Sequence, residues 1–166
     1  MPFPRSLRVE EWQGWVPVHR ATSVYLVRDD QVLLIRKKRG LGRGKVTAPG
    51  GKLDGAESAA ECAVREVREE VGLTPAGLQA RGSLSFQFLD GYSIEVNLFV
   101  AHDWTGQLHE SAEAAPFWVA FGQIPYEEMW EDDRVWLGEV LRGNRVSGRL
   151  LFDGDRLVDH EISVER

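Results

Sequence analysis

The residues of this sequence that could carry out chemistry lie in one short segment, residues 51–73. Glycine, glutamate and arginine recur there in the pattern G-x5-E-x7-R-E-U-x-E-E-x-G-U, where U is aliphatic. The defined positions are Gly51, Glu57, Arg65, Glu66, Val67, Glu69, Glu70, Gly72 and Leu73. Hard divalent cations bind carboxylate oxygens, and Mg²⁺ usually binds through a few carboxylates together with the phosphates of a substrate. The segment therefore predicts a site for a metal ion and a phosphorylated ligand.

A helix is expected to carry these carboxylates. Ser58 and Glu61 have the spacing of a capping box, and apolar residues recur at helical intervals over residues 60–71. Gly72 follows the last apolar position, where glycine commonly ends a helix. The pattern therefore predicts a helix that begins after Ser58 and ends at Gly72.

Three glutamates of this helix are expected to share one flank. Glu66 and Glu70 lie about 40° apart at 100° per residue, and Glu69 lies on the same flank. Like charges repel at this spacing, so a cation is needed to compensate them, and Glu57 could join from the N-terminal end. The alternative to a metal site is that the glutamates and arginines of this helix form an exposed face with ion pairs between neighbouring turns. The Pro49-Gly50-Gly51 turn favours the metal and phosphate site because glycines let backbone approach a ligand closely.

The whole chain predicts one domain over residues 1–166, with residues 1–17 as an extension on the surface. No apolar run is long enough to span a membrane, and no signal peptide is expected. Cys62 is the only cysteine, which fits a reducing cytoplasm; we interpret it as a packed helix residue rather than a reactive thiol. Nothing in the sequence requires more than a monomer.

Apolar alternation and turn dipeptides predict strands around the acidic helix. The strands are predicted at residues 18–28, 31–37, 83–89, 92–101, 116–121, 149–152 and 156–162. A further helix is predicted at residues 132–142. These elements predict an α+β fold with a mixed sheet between helices.

The net charge of −6 argues against a nucleic-acid polymer as the partner. Residues 36–45, RKKRGLGRGK, form a basic segment that could alternatively be a localisation signal or a nucleic-acid patch. It leads directly into the Pro-Gly-Gly turn, which favours a role in binding a triphosphate. Its glycines, Gly40, Gly42 and Gly44, do not have the spacing of a P-loop, so a P-loop kinase is not supported.

The sequence resembles the Nudix hydrolases, whose signature the 51–73 pattern matches at every defined position. It is similar in particular to the MutT-homologue branch that hydrolyses oxidised purine nucleoside triphosphates. The segments that carry this resemblance are VLLIRKKRGLGRGK, PGGK, SFQF and QIPYEEMWEDDRVW, within a region from about residue 21 to the C-terminus. The resemblance implies an α/β/α sandwich and hydrolysis of a substrate such as 8-oxo-dGTP to monophosphate and pyrophosphate, with Mg²⁺ or Mn²⁺ activating water.

The resemblance also implies which residues form the metal site. The implied ligands are Gly51, through its carbonyl oxygen, and Glu66, Glu69, Glu70 and Glu113. Glu113 is implied either as a ligand or as the base for water, and its alternative is an exposed loop position. Arg65 is implied to orient Glu69 or Glu57 by charge-assisted hydrogen bonds.

The implied nucleotide site is formed by residues from several segments. They are Thr22, Lys37, Thr47, Phe86, Trp130, Asp132 and Asp133. Trp130 would stack on the base, and the two aspartates could share a proton and so offer both hydrogen-bond senses. Each of these residues also has a purely structural interpretation. Lys37 could be an exposed lysine at a strand edge, Trp130 could be a core residue, and the two aspartates could lie at a helix N-terminus, where the helix dipole favours them.

Two departures from the branch concern selectivity. Thr47 replaces an asparagine that pairs with the base in the animal enzymes, and Leu41 replaces an aromatic residue. The hydrolysis is therefore better supported than a preference for 8-oxo-dGTP. Two other hypotheses stay open from the sequence: hydrolysis of a dinucleoside polyphosphate, ADP-ribose or a similar diphosphate derivative, and a Nudix module that binds without turnover.

Overall fold

The computed structural model describes residues 3–166. The strands are β1 (His19–Arg28), β2 (Gln31–Lys37), β3 (Val46–Thr47), β4 (Gly50–Lys52), β5 (Leu73–Ala76), β6 (Gln79–Phe88), β7 (Ser93–Ala101), β8 (Asp103–Gly106), β9 (Ala114–Ala120), β10 (Arg145–Asp153) and β11 (Arg156–Glu165). The helices are α1 (Val9–Trp12), α2 (Ala59–Val71) and α3 (Asp133–Leu141), with short 3-10 turns at Phe121–Gln123 and Tyr126–Glu128.

Nine strands form one mixed sheet. Seven follow the order β11-β10-β6-β7-β1-β2-β3, while β4 pairs with β1 and β9 pairs with β2. The pairs β1–β7 and β6–β10 are parallel, and the other pairs in this sheet are antiparallel. Strands β5 and β8 form a separate two-stranded sheet. The predicted mixed sheet is confirmed.

Two apolar cores lie on opposite faces of the sheet because neighbouring residues of a strand point to opposite sides. In β1, Val24 and Leu26 belong to one core and Tyr25 and Val27 to the other. Helix α2 supplies Ala63, Val67 and Val71 to the first core, and α3 supplies Trp136, Leu137 and Val140 to the second. The predicted sandwich of helices around a sheet is confirmed. Among residues 3–166, every helix falls short of the length and apolar character that crossing a bilayer requires.

The sequence prediction missed several short strands. The Pro-Gly-Gly segment, expected as a turn, continues into β4, which pairs along β1. Gly50 has φ +154°, and a Cβ there would lie 2.0 Å from the Thr22 carbonyl oxygen, so only glycine fits this close approach. A strand of three residues with two glycines shows no apolar alternation, and the pattern therefore could not reveal it. The predicted hairpins are confirmed, although β6 begins at Gln79, before the expected residue 83.

Candidate active site

Helix α2 begins and ends as its sequence predicts. The Ser58 hydroxyl accepts a hydrogen bond from the Glu61 backbone N–H at 3.1 Å, and the Glu61 carboxylate accepts one from the Ser58 N–H at 3.1 Å. Gly72 ends the helix with φ +81°, in the left-handed region. These caps fix where the helix starts and hence which of its side chains face β4.

An acidic cluster forms where α2 meets the loop before β9. Glu66, Glu70 and Glu113 each place one carboxylate oxygen within 4.8 Å of those of the other two. The pKa of Glu70 is raised to about 8, mainly by burial and secondly by the charge of Glu66. The Gly50 N–H donates a hydrogen bond to Glu70 at 3.3 Å, which opposes this rise. Burial also raises the pKa of Glu66. Converging carboxylates that lack sufficient positive charge are a donor set that fits a hard divalent cation.

Glu69 lies apart from this cluster. Its side chain is 57% exposed, and its carboxylate accepts a hydrogen bond from Arg65 Nη1 at 3.2 Å. Helical spacing placed Glu69 with Glu66 and Glu70, and the family resemblance added Glu113. In the structure Glu113 lies with Glu66 and Glu70, while Glu69 is linked to Glu66 through Arg65 Nη1. One step along the helix turns Glu69 away from β4 and toward solvent.

Arg65 binds the carboxylates at the N-terminal side of the cluster. Its Nε and Nη2 donate to the two Glu57 oxygens at 2.6 and 2.8 Å, and its Nη1 donates to Glu66 at 2.9 Å. This pairing lowers the pKa of Glu57 to about 2. Glu57 is therefore occupied by Arg65, and Arg65 contacts Glu57, Glu66 and Glu69 together, consistent with an orienting role.

Cys62 lies beside the cluster and is fully buried. Its thiol donates to the Gly51 carbonyl oxygen at 3.4 Å, and burial raises its pKa to about 11. A thiol with a raised pKa is a poor nucleophile, so the structure agrees with the interpretation of Cys62 as a packed residue.

Gly51 packs directly against the Glu66 carboxylate. A Cβ at this position would lie 2.4 Å from Glu66 Cδ. The Gly51→Ala variant is therefore expected to displace the Glu66 carboxylate and to weaken Mg²⁺ binding by about 10-fold to 100-fold, the range typical of disturbed ligand positioning. Calorimetric titration with Mg²⁺ measures this change. Gly122→Ala is the matched control because nothing lies within 4 Å of its Cβ position, and an equal Mg²⁺ affinity in the two variants would contradict the prediction.

A cavity of about 270 Å³ adjoins the acidic cluster. Glu70 and the backbone of Gly51 contribute to its lining. All of the residues that the sequence assigned to the nucleotide site also line it: Thr22, Lys37, Thr47, Phe86, Trp130, Asp132 and Asp133. The cavity thus joins the predicted nucleotide residues with Gly51 and Glu70 of the predicted metal site, whereas Glu66, Glu69 and Glu113 are not among its lining residues.

Asp132 and Asp133 are almost fully buried, with 1% and 6% exposure. Trp136 Nε1 donates to Asp132 Oδ2 at 2.7 Å, while Asp132 Oδ1 has no hydrogen-bond partner among residues 3–166. Burial raises the pKa of Asp132 to about 6, and burial together with the charge of Asp132 raises that of Asp133 well above its ordinary value. The pair therefore favours one proton on Asp133 and one free acceptor oxygen on Asp132.

The raised pKa of Asp133 predicts how folding stability depends on pH. Above about pH 4, Asp133 keeps a proton in the folded state that it loses in the unfolded state, so the contribution of this residue to stability falls as pH rises. Asp133→Asn removes this loss, and we expect it to raise the free energy of unfolding at pH 8 by on the order of 1 to 3 kcal/mol. The difference should vanish toward pH 3.5. Urea unfolding from pH 3.5 to 8 measures it, with exposed Asp103→Asn as the control; a constant difference at every pH would contradict the prediction.

Trp130 forms an aromatic wall of the cavity. Phe88 and Phe152 pack edge-on against its ring at 5.9 and 5.4 Å between centroids. The basic glycine-rich segment lies on the same ring, with Lys45 Nζ 5.0 Å from its centre. Gly42 has φ +80°, and a Cβ there would lie 2.9 Å from Trp130 Nε1. The basic segment therefore packs against the aromatic wall as well as leading toward β4.

Sequence reasoning missed several residues of the cavity. Tyr25 packs edge-on against Trp136, and Tyr92 and Ile94 line the cavity from β7 and the turn before it. Trp136 lies four residues after Asp132, a helical spacing that could have indicated the pairing. Tyr25 gave no such signal because Trp136, the ring it packs against, lies far along the chain from it.

Comparison with known proteins identifies the family to which this fold belongs. The family model of the NUDIX domain matches residues 8–140. The chain is 37% identical over 143 residues to the oxidized purine nucleoside triphosphate hydrolase of Danio rerio, covering 85% of this chain and 92% of that protein. It is 34% identical over 143 residues to the mouse protein of the same name, with the same coverage.

The solved structures include a close match in fold. The mutator MutT protein from Bacillus halodurans superposes with a TM-score of 0.79 at 29% identity, covering 88% of this chain and 98% of that one. The fold and the acidic helix define the class of Nudix hydrolases. The chain belongs to the Nudix family, and the predicted similarity to the MutT-homologue branch is confirmed.

Proposed function

We propose that this protein hydrolyses purine nucleoside triphosphates, oxidised ones such as 8-oxo-dGTP in particular, to nucleoside monophosphate and pyrophosphate. Such an activity would remove damaged nucleotides from the precursor pool. The observation that supports it is that one cavity is lined both by Glu70 of the acidic cluster and by Trp130, Asp132 and Asp133. The names of the fish and mouse relatives favour the same substrate class.

The phosphate side of the proposed site consists of carboxylates and a lysine. Glu66, Glu70 and Glu113 would hold Mg²⁺, which when bound supplies charge neutralisation of the phosphates and a lowered pKa for water. Lys37 lines the same cavity, where burial lowers its pKa and the nearby charge of Glu70 opposes that change. We assign Lys37 to a phosphate oxygen. Arg39 Nη2 donates to Glu113 at 2.9 Å and so orients that carboxylate.

The base side of the proposed site combines stacking with two hydrogen-bond senses. An aromatic face such as Trp130 stabilises a stacked base by about 1–3 kcal/mol, with little dependence on its identity. Selection must then come from the aspartates, with Asp132 Oδ1 accepting and a protonated Asp133 donating. Thr47 offers one hydroxyl where an amide would offer an acceptor and two donors at once, which favours a broader choice among purines.

A substrate panel tests this proposal. Release of monophosphate and pyrophosphate would be measured with Mg²⁺ and with Mn²⁺ for 8-oxo-dGTP, 2-hydroxy-dATP, dGTP, ADP-ribose and a dinucleoside tetraphosphate. We expect the oxidised purine triphosphates to have the highest kcat/KM. A higher kcat/KM for ADP-ribose or the dinucleoside tetraphosphate would refute the assignment of substrate. We also propose that the protein acts as a cytoplasmic monomer. Its net charge of −6 disfavours a nucleic-acid polymer as its partner.

A further inference from the structure

The residues before β1 contact two neighbouring strands of the sheet, β6 and β7. We term residues 3–18 the N-terminal strap. The strap contains α1 and two neighbouring tryptophans, Trp12 and Trp15, whose ring centroids are 5.2 Å apart. Trp15 Nε1 donates to Gln87 Oε1 at 2.9 Å, and the Val18 N–H donates to the Ser93 hydroxyl at 2.9 Å. The strap is therefore hydrogen-bonded to both strands of the β6–β7 hairpin.

The two contacted residues lie opposite each other at the end of this hairpin. Gln87 and Ser93 are cross-strand partners, and both are polar yet only 1% and 3% exposed. Buried polar groups require hydrogen-bond partners. The Gln87 amide donates to the carbonyl oxygens of Phe88 and Tyr92, at 2.9 and 3.1 Å, and so spans the hairpin turn. The remaining hydrogen bond of this side chain comes from Trp15.

The other face of the same hairpin forms a wall of the cavity. Side chains alternate along a strand, so Phe86 and Phe88 point away from Gln87. Phe86 lines the cavity, as does Tyr92 beyond the turn, and Phe88 packs edge-on against Trp130. Gln87, the side chain that the strap contacts, thus lies on the opposite face of the hairpin from Phe86, which is assigned to the nucleotide site.

We propose that the N-terminal strap positions the base-binding wall through the hydrogen bond from Trp15 to Gln87, and that Trp15 is a positioning residue for purine recognition. This inference rests on the proposed function. His19, directly after the strap, adds a third contact with the hairpin, since its Nδ1 lies 3.1 Å from the Tyr92 hydroxyl. The acidic cluster stands on α2 and on the loop before β9, and no strap hydrogen bond among residues 3–166 reaches it. The effect should therefore fall on the base and not on the phosphates.

Trp15→Phe tests this assignment because it keeps an aromatic ring and removes the N–H donor, together with part of the indole ring, a loss of ring area that the control variant Trp12→Phe shares. The loss leaves Gln87 Oε1 without its partner, and a hydrogen bond of this kind contributes about 1 kcal/mol. We expect KM for the purine nucleoside triphosphate to rise about fivefold, which corresponds to that energy. We expect kcat and the inhibition constant of pyrophosphate, which carries no base, to stay unchanged. The melting temperature should fall by about 2–4 °C, the shift that a loss of about 1 kcal/mol causes in a protein of this size, and by a similar amount in the control variant.

Trp12→Phe is the matched control. Trp12 Nε1 donates to the Ser6 carbonyl oxygen at 2.8 Å, inside the strap itself, so this variant loses a similar hydrogen bond without affecting Gln87. The proposal is overturned if KM is unchanged in Trp15→Phe, or if both variants raise KM equally. It is also overturned if kcat and pyrophosphate inhibition worsen together with KM, or if the melting temperature falls much further in Trp15→Phe than in Trp12→Phe, because either pattern indicates general destabilisation.

A wild type that hydrolyses no purine triphosphate would remove the proposed function by itself. The strap would then be judged by calorimetric binding of a purine nucleoside monophosphate without metal. Weaker binding to Trp15→Phe than to the wild type and Trp12→Phe supports the positioning role, and equal binding to all three overturns it.

Discussion

Replacing Glu70 with glutamine is expected to lower kcat by on the order of 10³-fold, the loss seen when an electrostatic group is removed from an active site. Glu70 is buried within the acidic cluster, where burial first and the charge of Glu66 second raise its pKa to about 8, so its charged form needs a nearby cation. Mg²⁺ would make the carboxylate the favoured form. Glutamine fills nearly the same volume but brings no charge, so the fold is kept while the metal loses a ligand. Monophosphate release at saturating substrate over a range of Mg²⁺ concentrations measures the effect.

The control for this substitution is Glu127→Gln, an exposed glutamate outside the cluster. It should retain the kcat of the wild type. Glu69→Gln should have a loss between these limits, because Glu69 is 57% exposed and contacts Arg65 rather than Glu70. A wild-type rate in Glu70→Gln would show that the acidic cluster is not the reaction centre.

Helix α2 was predicted closely because every determinant of it is local in sequence. The capping pair Ser58 and Glu61, the apolar spacing and Gly72 all lie within the segment that they define. The hairpins were predicted for the same reason, since turn dipeptides lie between the strands they join. Strands β3 and β4 were missed because their pairing with β2 and β1 is decided by the rest of the sheet and not by their own residues.

The candidate site shows the same division between local and distant determinants. Helical geometry places Glu66 and Glu70 together, yet it cannot show that Glu113, more than forty residues later, completes the cluster instead of Glu69. Glu113 followed from the family resemblance and not from spacing. The hydrogen bond from Trp136 to Asp132 was missed because Trp136 was interpreted only as an apolar residue of a helix. Tryptophan has both an apolar ring and an N–H donor, but apolar spacing in a sequence reflects only the ring.

That hydrogen bond decides the expected result of Asp132→Asn. The Trp136 N–H requires an acceptor, so the amide oxygen of the new asparagine should turn toward Trp136. Its NH₂ group would then stand where Asp132 Oδ1 stands now, the oxygen that has no partner among the described residues. The cavity would present a donor in place of an acceptor. We expect kcat/KM for purine triphosphates to fall about 100-fold, or roughly 3 kcal/mol, as expected when a buried polar group faces an unmatched one.

The sign of the stability change separates this result from misfolding. Because burial raises the pKa of Asp132 to about 6, the neutral asparagine should make the protein more stable than the wild type at pH 8, while activity falls. Pyrophosphate inhibition should be unchanged, since the substitution alters only the base side of the cavity. The exposed Asp103→Asn variant should match the wild type in activity and stability. Unchanged kcat/KM in Asp132→Asn would mean that the base is read elsewhere, whereas lower activity combined with lower stability would mean that the aspartate supports the fold and not the purine edge.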